Sequence, residues 1–187
     1  MISVRRPDLR EAERYRQARL QMEPTAAPSA VLPKGFRRDV FTRVIGSGAD
    51  DFERAKRGLE QWAAHRGSGV EVLPPDAALA TGTTVALVTR QVGLWVLAAC
   101  RVDSVIDEPT RFGFVYVTLP DHPECGVESF TITGTEHEVM FRIEAVSRPG
   151  VPLVRLGSPV TRILQRRAAD AYLAALHTWV RSASDRP

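Results

Sequence analysis

Lysine is nearly missing from this chain of 187 residues. Lys34 and Lys56 stand alone beside 23 arginines. Twenty-two acids are interspersed among them, so the net charge is only +3 at a pI near 9.2. No basic run reaches the length of a nucleic-acid patch and no recognised nucleic-acid module occurs, which sets nucleic acid aside as a partner. Guanidinium groups can fork a phosphate or carboxylate, but codon usage in GC-rich DNA is the plainer account. The densest group, Arg162, Arg166 and Arg167, falls on the expected solvated face of a helix. Cysteine is equally scarce. Cys100 and Cys125 form no CxxC and are too few to make a metal set together, so free thiols in a reducing cytoplasm are expected. The first fifteen residues lack the apolar core of a signal peptide. No apolar run approaches the ~20 residues of a membrane span. GxGxxG, GxxxxGK[ST], HExxH and GxSxG are all absent, so neither cofactor nor metal is expected.

What is present is ordinary globular composition, 44% apolar and 25% charged. A chain of this length suits a single domain that buries about two thirds of its unfolded surface. Residues 1–35 differ from the rest. The stretch 10–22 reads as a polar helix with few apolar anchors (Tyr15, Leu20, Met22), followed by Pro24, Pro28 and Pro33, and forms an N-terminal arm. Residues 36–182 form the domain and 183–187 a flexible tail. Within the domain, 39–45 is a strand and 46–48 a turn. Asp50, with Glu53 three residues on, then opens a helix as in a capping box. Phe52, Ala55, Leu59 and Trp62 continue it at helical spacing until Gly67 and Gly69.

The period then becomes two. Strands are expected at 70–73, 83–90, 94–106, 111–119, 126–133 and 138–147, joined by hairpin-length breaks. Ser158 and Pro159 suit the start of a last helix. Its stripe runs through Val160, Ile163, Leu164, Ala168, Ala171, Tyr172, Ala175, Leu176, Trp179 and Val180. The class is therefore α+β: a curled antiparallel sheet of about seven strands gripping a long C-terminal helix. Such a helix-grip often leaves space between helix and sheet.

Several residues are candidates for chemistry. His122 sits beside Glu124 in a DHPE turn, where a histidine–carboxylate pair could do acid–base work; a plain exposed turn is the alternative. By strand parity, Arg101 shares a face with Trp95, Leu97, Ala99 and Val105, and Glu128 shares one with Phe130 and Ile132. Each is a charge on an apolar stripe. If buried, each needs a partner, which could be the other charge or a bound polar group. A buried Glu128 would have its pKa raised, as a general acid requires. Phe112, Phe114 and Tyr116 share a face and either line a pocket or simply fill the core; a buried phenol needs a hydrogen-bond partner. The glycines of 46–52 suggest an anion site at a helix N-terminus, but Asp50 and Asp51 would repel a phosphate there.

The runs RFGFVYVTLPDHPECGVESF (111–130), GLWVLAACRV (93–102), FRIEAVSRPG (141–150) and RLGSPVTRILQRR (155–167) together resemble the domain-of-unknown-function 1990 family, the UPF0548 group. The resemblance spans about residues 36 to 176. The family usually shows a second acid where this chain has Val127. At fold level only, the element order is similar to the START/birch-pollen-allergen superfamily, which includes polyketide cyclases and lipid carriers.

Three functions follow as expectations. The first is an internal pocket binding a small hydrophobic or aromatic ligand, lined by Arg101, Tyr116, Trp95, Phe114 and Phe130. The second is a cofactor-independent cyclase or dehydratase-like enzyme in which Glu128, or His122 with Glu124, moves a proton. The third is an interaction protein whose arm docks on another chain, a homodimer included.

Overall fold

The computed structural model describes residues 1–29, 31–150 and 158–184, and the side chains of these apart from 158–162 and 183–184. The elements run β1 (Ile2–Ser3), α1 (Leu9–Gln17), β2 (Arg37–Gly46), α2 (Gly48–Glu60), α3 (Ala63–Gly67), β3 (Glu71–Leu73), β4 (Thr84–Gln91), β5 (Leu94–Glu108), β6 (Arg111–Thr118), β7 (Glu124–Gly134), β8 (Val139–Pro149) and α4 (Ser158–Ser184). All strand pairs are antiparallel. They form one curled sheet in the order β2-β8-β7-β6-β5-β4-β3, with β1 added to β5. The expected α+β helix-grip class is observed. The expected cap at Ser158 and Pro159, the Val160 and Arg162 side chains, and the tail end at 185–187 lie outside what is described.

The helices α2, α3 and α4 cover one face of the sheet. From α4 the i, i+3, i+4 series Ala169, Tyr172, Leu173, Leu176 and Val180 is buried, whereas Ile163 is 53% exposed and leaves the expected stripe. Close helix packing depends on small residues. A Cβ on Gly58 would stand 2.7 Å from side-chain atoms of both Leu176 and Trp179.

The expected single helix from Asp50 to Gly67 is in fact two. Trp62 adopts a left-handed conformation (φ 57°) between them, which turns its indole into the core, where Nε1 donates to the Ala77 carbonyl at 3.0 Å. The N-terminus also differs from the expected Asp50–Glu53 box. Ser47 is the capping position. Asp51 reaches back to accept from its N–H at 2.8 Å, and pairs with Arg54.

The opposite face of the sheet carries the arm. Helix α1 is closed at its N-terminus by a capping box between Asp8 and Glu11. Its Ala12 is buried against Leu73, Ala86, Val88 and Leu97, flanked by Tyr15 and Trp95. β6 ends at Thr118, so the start of β5 has a free edge, and β1 fills it (Ile2 opposite Val96). The arm thus docks on its own sheet.

β5 contains the irregularity that decides its faces. The ladder to β6 shifts between Val102 and Ser104, a bulge at Asp103. Before it, even-numbered residues such as Cys100 and Val102 face the helices; after it, Val105 does. Parity carried straight through the strand places Val105 with Arg101, and the bulge is the physical reason that this grouping fails.

At the rim of the sheet β2 is an edge strand, with Arg37, Arg38 and Arg43 exposed along it.

Candidate functional site

Between α4 and the sheet lies a cavity of about 410 Å³, a size typical of small-molecule pockets. Its lining is not uniform. On the β4–β5 side stand Leu87, Leu94, Val96 and Ala98, with Thr89 and Gln91 at the end of β4, while Glu124 and Glu128 of β7, Ser147 of β8 and Asp39 of β2 stand on the other. Leu164, Gln165, Ala168 and Tyr172 of α4 close it from above.

The polar side is built by register. Tyr116 on β6 is directly opposite Glu128 on β7, and Ala145 follows on β8. Cross-strand partners on one face bring their side chains together, and the Tyr116 hydroxyl donates to Glu128 Oε2 at 2.5 Å. Glu128 Oε1 has no partner among the described residues. Burial raises the Glu128 pKa to about 7. The charge of Glu124 adds to the rise, and the Tyr116 hydrogen bond works against it. Burial likewise pushes the phenols of Tyr116 and Tyr172 well up.

Glu124 is held differently. Ser147 Oγ donates to one of its oxygens at 2.9 Å and Gln165 Nε2 to the other at 2.7 Å, tying β7 to α4. Burial raises its pKa and these two bonds oppose the rise. The expected pair with His122 does not form. His122 Nδ1 lies 3.0 Å from the backbone N–H of Glu124 and 2.9 Å from its carbonyl, so the imidazole braces the turn. Burial lowers the His122 pKa to about 4 and keeps the ring neutral.

The remaining candidates divide between core and outer face. Phe114 and Phe130 stack at 5.0 Å and are fully buried. They lie one row beneath the Tyr116–Glu128 pair, packed with Trp62 and His65, and are not part of the cavity wall. Arg101 and Trp95 are on the arm side of β5. The Arg101 guanidinium donates to Thr84 Oγ1 at 3.1 Å and to the carbonyls of Arg19 and Leu20 at 3.1 and 2.8 Å. It caps the chain leaving α1, which explains a charge on that apolar stripe. Trp95 has Arg6 over its ring at 5.5 Å. Arg101 and Glu128 therefore face opposite sides of the sheet and cannot pair.

Sequence reasoning passed over Gln165, Ser147 and Asp39 as site residues and took Tyr172 only as part of the helix stripe. Their signal is weak: polar residues of common type whose place depends on how α4 lies across the strands. His65 was passed over too. It is fully buried among Trp62, Phe114, Tyr116, Phe130 and Tyr172, its Nε2 unpartnered, and burial lowers its pKa to about 3. Among the described residues no group of three or more His, Cys, Asp or Glu could hold a metal, and no helix is long and apolar enough to cross a membrane.

This architecture recurs in solved structures. A hypothetical protein of Helicobacter pylori superposes with a TM-score of 0.58 at 13% identity, covering 83% of this chain and 98% of its own. Ara h 8.0201 gives 0.54 at 10% identity (79% and 99%). The di-domain ARO/CYC BexL from the BE-7585A biosynthetic pathway gives 0.52 at 16% (83% and 52%). At such identities the likeness is one of fold. Closer in sequence are UPF0548 proteins. That of Dictyostelium discoideum is 31% identical over 136 residues, spanning 66% of this chain and 63% of the relative. That of Deinococcus radiodurans is 34% identical over 149 residues, spanning 71% and 72%. The pattern of DUF1990, a domain of unknown function, matches residues 21–175, from the end of the arm into the last helix. The chain therefore belongs to the DUF1990 family.

Proposed function

We propose that the chain binds a small, mainly apolar or aromatic molecule in the cavity between α4 and the sheet. The observation that carries this reading is the cavity itself: about 410 Å³, mainly apolar toward β4 and β5, with one carboxyl oxygen of Glu128 left without a partner among the described residues at its polar side. Pockets of this kind hold a ligand's body by burial and its orientation by a few placed polar groups. Here Glu128 and Tyr116 take the orienting role, and Phe114 and Phe130 stiffen the sheet beneath them. Arg101 and Trp95 take no part. The fold shared with Ara h 8.0201 and BexL supports an internal pocket and says nothing of its occupant. Cys100 and Cys125 are both free and buried, in keeping with a reducing compartment such as the cytoplasm.

The test is binding of a neutral solvatochromic dye, followed by fluorescence, together with native mass spectrometry of freshly purified protein. Saturable one-to-one uptake that is lost in Ala98→Leu supports the reading. Uptake unchanged in that variant places the dye elsewhere and overturns it.

A second reading is favoured by one observation: a carboxyl with a pKa near 7 that faces the cavity is poised both to give and to take a proton at neutral pH. In a cyclase- or dehydratase-like reaction Glu128 would move the proton and Tyr116 would hold its carboxyl in place. Glu124, with both oxygens already bonded, and His122, turned to the backbone, would only shape the site. The arm as a docking device for another chain has less support, because Ala12, Tyr15 and β1 are engaged by the chain's own sheet.

A further inference from the structure

The cavity's charge has one sign. Glu124, Glu128 and Asp39 line it, together with the phenols of Tyr116 and Tyr172, and no lysine or arginine lines it among the described residues. This is notable in a chain so rich in arginine. The guanidiniums of Arg101, Arg19 and Arg16 lie on the arm side. There they bind the carbonyls of Arg19, Leu20, Pro120 and Thr84 and the carboxylates of Asp121 and Glu13. A carboxylate-headed ligand such as a fatty acid would thus meet the buried carboxyls of Glu124 and Glu128, and the guanidinium bonded to a lining acid, that of Arg37, is already engaged by Asp39 at 3.3 Å. A cation would meet two buried carboxyls and two aromatic rings.

Resting on the binding function proposed above, we infer that the ligand is a protonated amine with an apolar body. Its ammonium bonds to Glu128 Oε1 beside the rings of Tyr116 and Tyr172, and its hydrocarbon extends across to Leu87, Val96 and Ala98. The unpartnered carboxyl oxygen accepts hydrogen bonds, and an ammonium only donates. A desolvated carboxylate is costly alone and is compensated by an opposite charge held close. A cation within reach of a tyrosine face gains further, more so away from water. The division of the lining into an acidic side and a mainly apolar side matches a molecule with one charged end.

The inference has a proton signature. Seating an ammonium requires Glu128 ionised, so binding releases the proton that burial otherwise retains there. The titratable groups around Glu128 are Tyr116 from β6, Cys100 from β5, Tyr172 from α4, Glu124 from its own strand, His122 from the turn before it, His65 from α3 and, across β8, Asp39 from β2; burial lowers both histidines, which stay neutral. The phenols and the thiol are pushed up and stay protonated, and Glu124 shares the upward shift, so amine affinity rises with pH through neutrality.

The experiment compares n-octylamine, 1-octanol and octanoate by calorimetry on the full chain. At about pH 8 octylamine binds at least about tenfold more tightly than octanol, and octanoate most weakly. Lowering the pH to about 5.5 weakens octylamine about tenfold and leaves octanol unmoved. Glu128→Gln narrows the gap between amine and alcohol to less than about threefold. Should that variant not fold, the pH dependence of the native chain decides alone. Octanoate binding as tightly as octylamine, or an amine affinity indifferent to pH, overturns the inference and leaves the pocket standing. If none of the three binds, the pocket reading fails as well.

Discussion

Glu128 couples the cavity to the stability of the whole chain. Its pKa is about 7 in the fold against 4.5 for an ordinary glutamate. Below about pH 4.5 both folded and unfolded chains hold the proton, and the preference of the site for a neutral group is fully expressed. As pH rises toward 7 the unfolded chain releases its proton while the fold retains it, so stability falls through that window by up to about 3 kcal/mol and is flat above it. His65 and His122, lowered to about 3 and 4, act in the opposite sense, losing stability as pH drops below 6.5. The comparison of Glu128→Gln with the native chain cancels them. Urea unfolding between about pH 4.5 and 7.5 should show the variant gaining on the native chain by about 3 kcal/mol across the window. Parallel curves would mean that Glu128 titrates normally. At this scale much was legible in sequence: a lone acid on the stripe of Phe130 and Ile132, and a tyrosine needing a partner. That the two partner each other depends on register between β6 and β7, which no single strand encodes.

Among the elements β5 does the most to divide the molecule. Its even residues before the bulge face the cavity and core, and its odd residues face the arm. Alternation made the strand readable in sequence, but one extra residue at Asp103 reverses the parity, and nothing in the run VDSV announces a bulge. Likewise the helical spacing through Trp62 was correct, and the break at that residue was hidden because an apolar tryptophan is an uncommon choice for a left-handed turn. Since Arg101 holds the end of α1 from the arm side, Arg101→Met should remove three hydrogen bonds and cost about 1–3 kcal/mol. Residues 1–29 should become more sensitive to limited proteolysis, while binding in the cavity is unchanged. A loss of binding in this variant would place the guanidinium functionally inside, against the geometry.

The whole molecule is a sheet covered on both faces by different means: long helices over a hollow on one side, a strapped arm on the other. The helix-grip order was legible from the run of strands followed by one long amphipathic helix. The volume left between them was not, because it depends on side chains from seven strands and α4 at once. If that volume serves a ligand and not the fold, filling it should stabilise the empty chain. Ala98→Leu buries further apolar surface against Leu87, and should add about 1–2 kcal/mol and raise the melting temperature by about 2–6 °C while abolishing uptake of the dye. A destabilised variant would show the cavity to be narrower at β5 than its lining suggests.

The edge strand β2 has a consequence of its own. An open strand edge invites another copy to extend the sheet. Along this one Arg37, Arg38 and Arg43 stand exposed beside Val40 and Val44. Arg37 pairs with Asp39 and Arg38 with Glu144; a second β2 laid antiparallel against the first sets guanidinium against guanidinium in some registers and not in others, so the arginines disfavour edge pairing without forbidding it. Arginine, which the cavity lining lacks, thus stands at the rim beside the exposed valines, where charge disfavours pairing along the edge. Exchanging these three residues for threonine should increase association as concentration rises, which light scattering would detect.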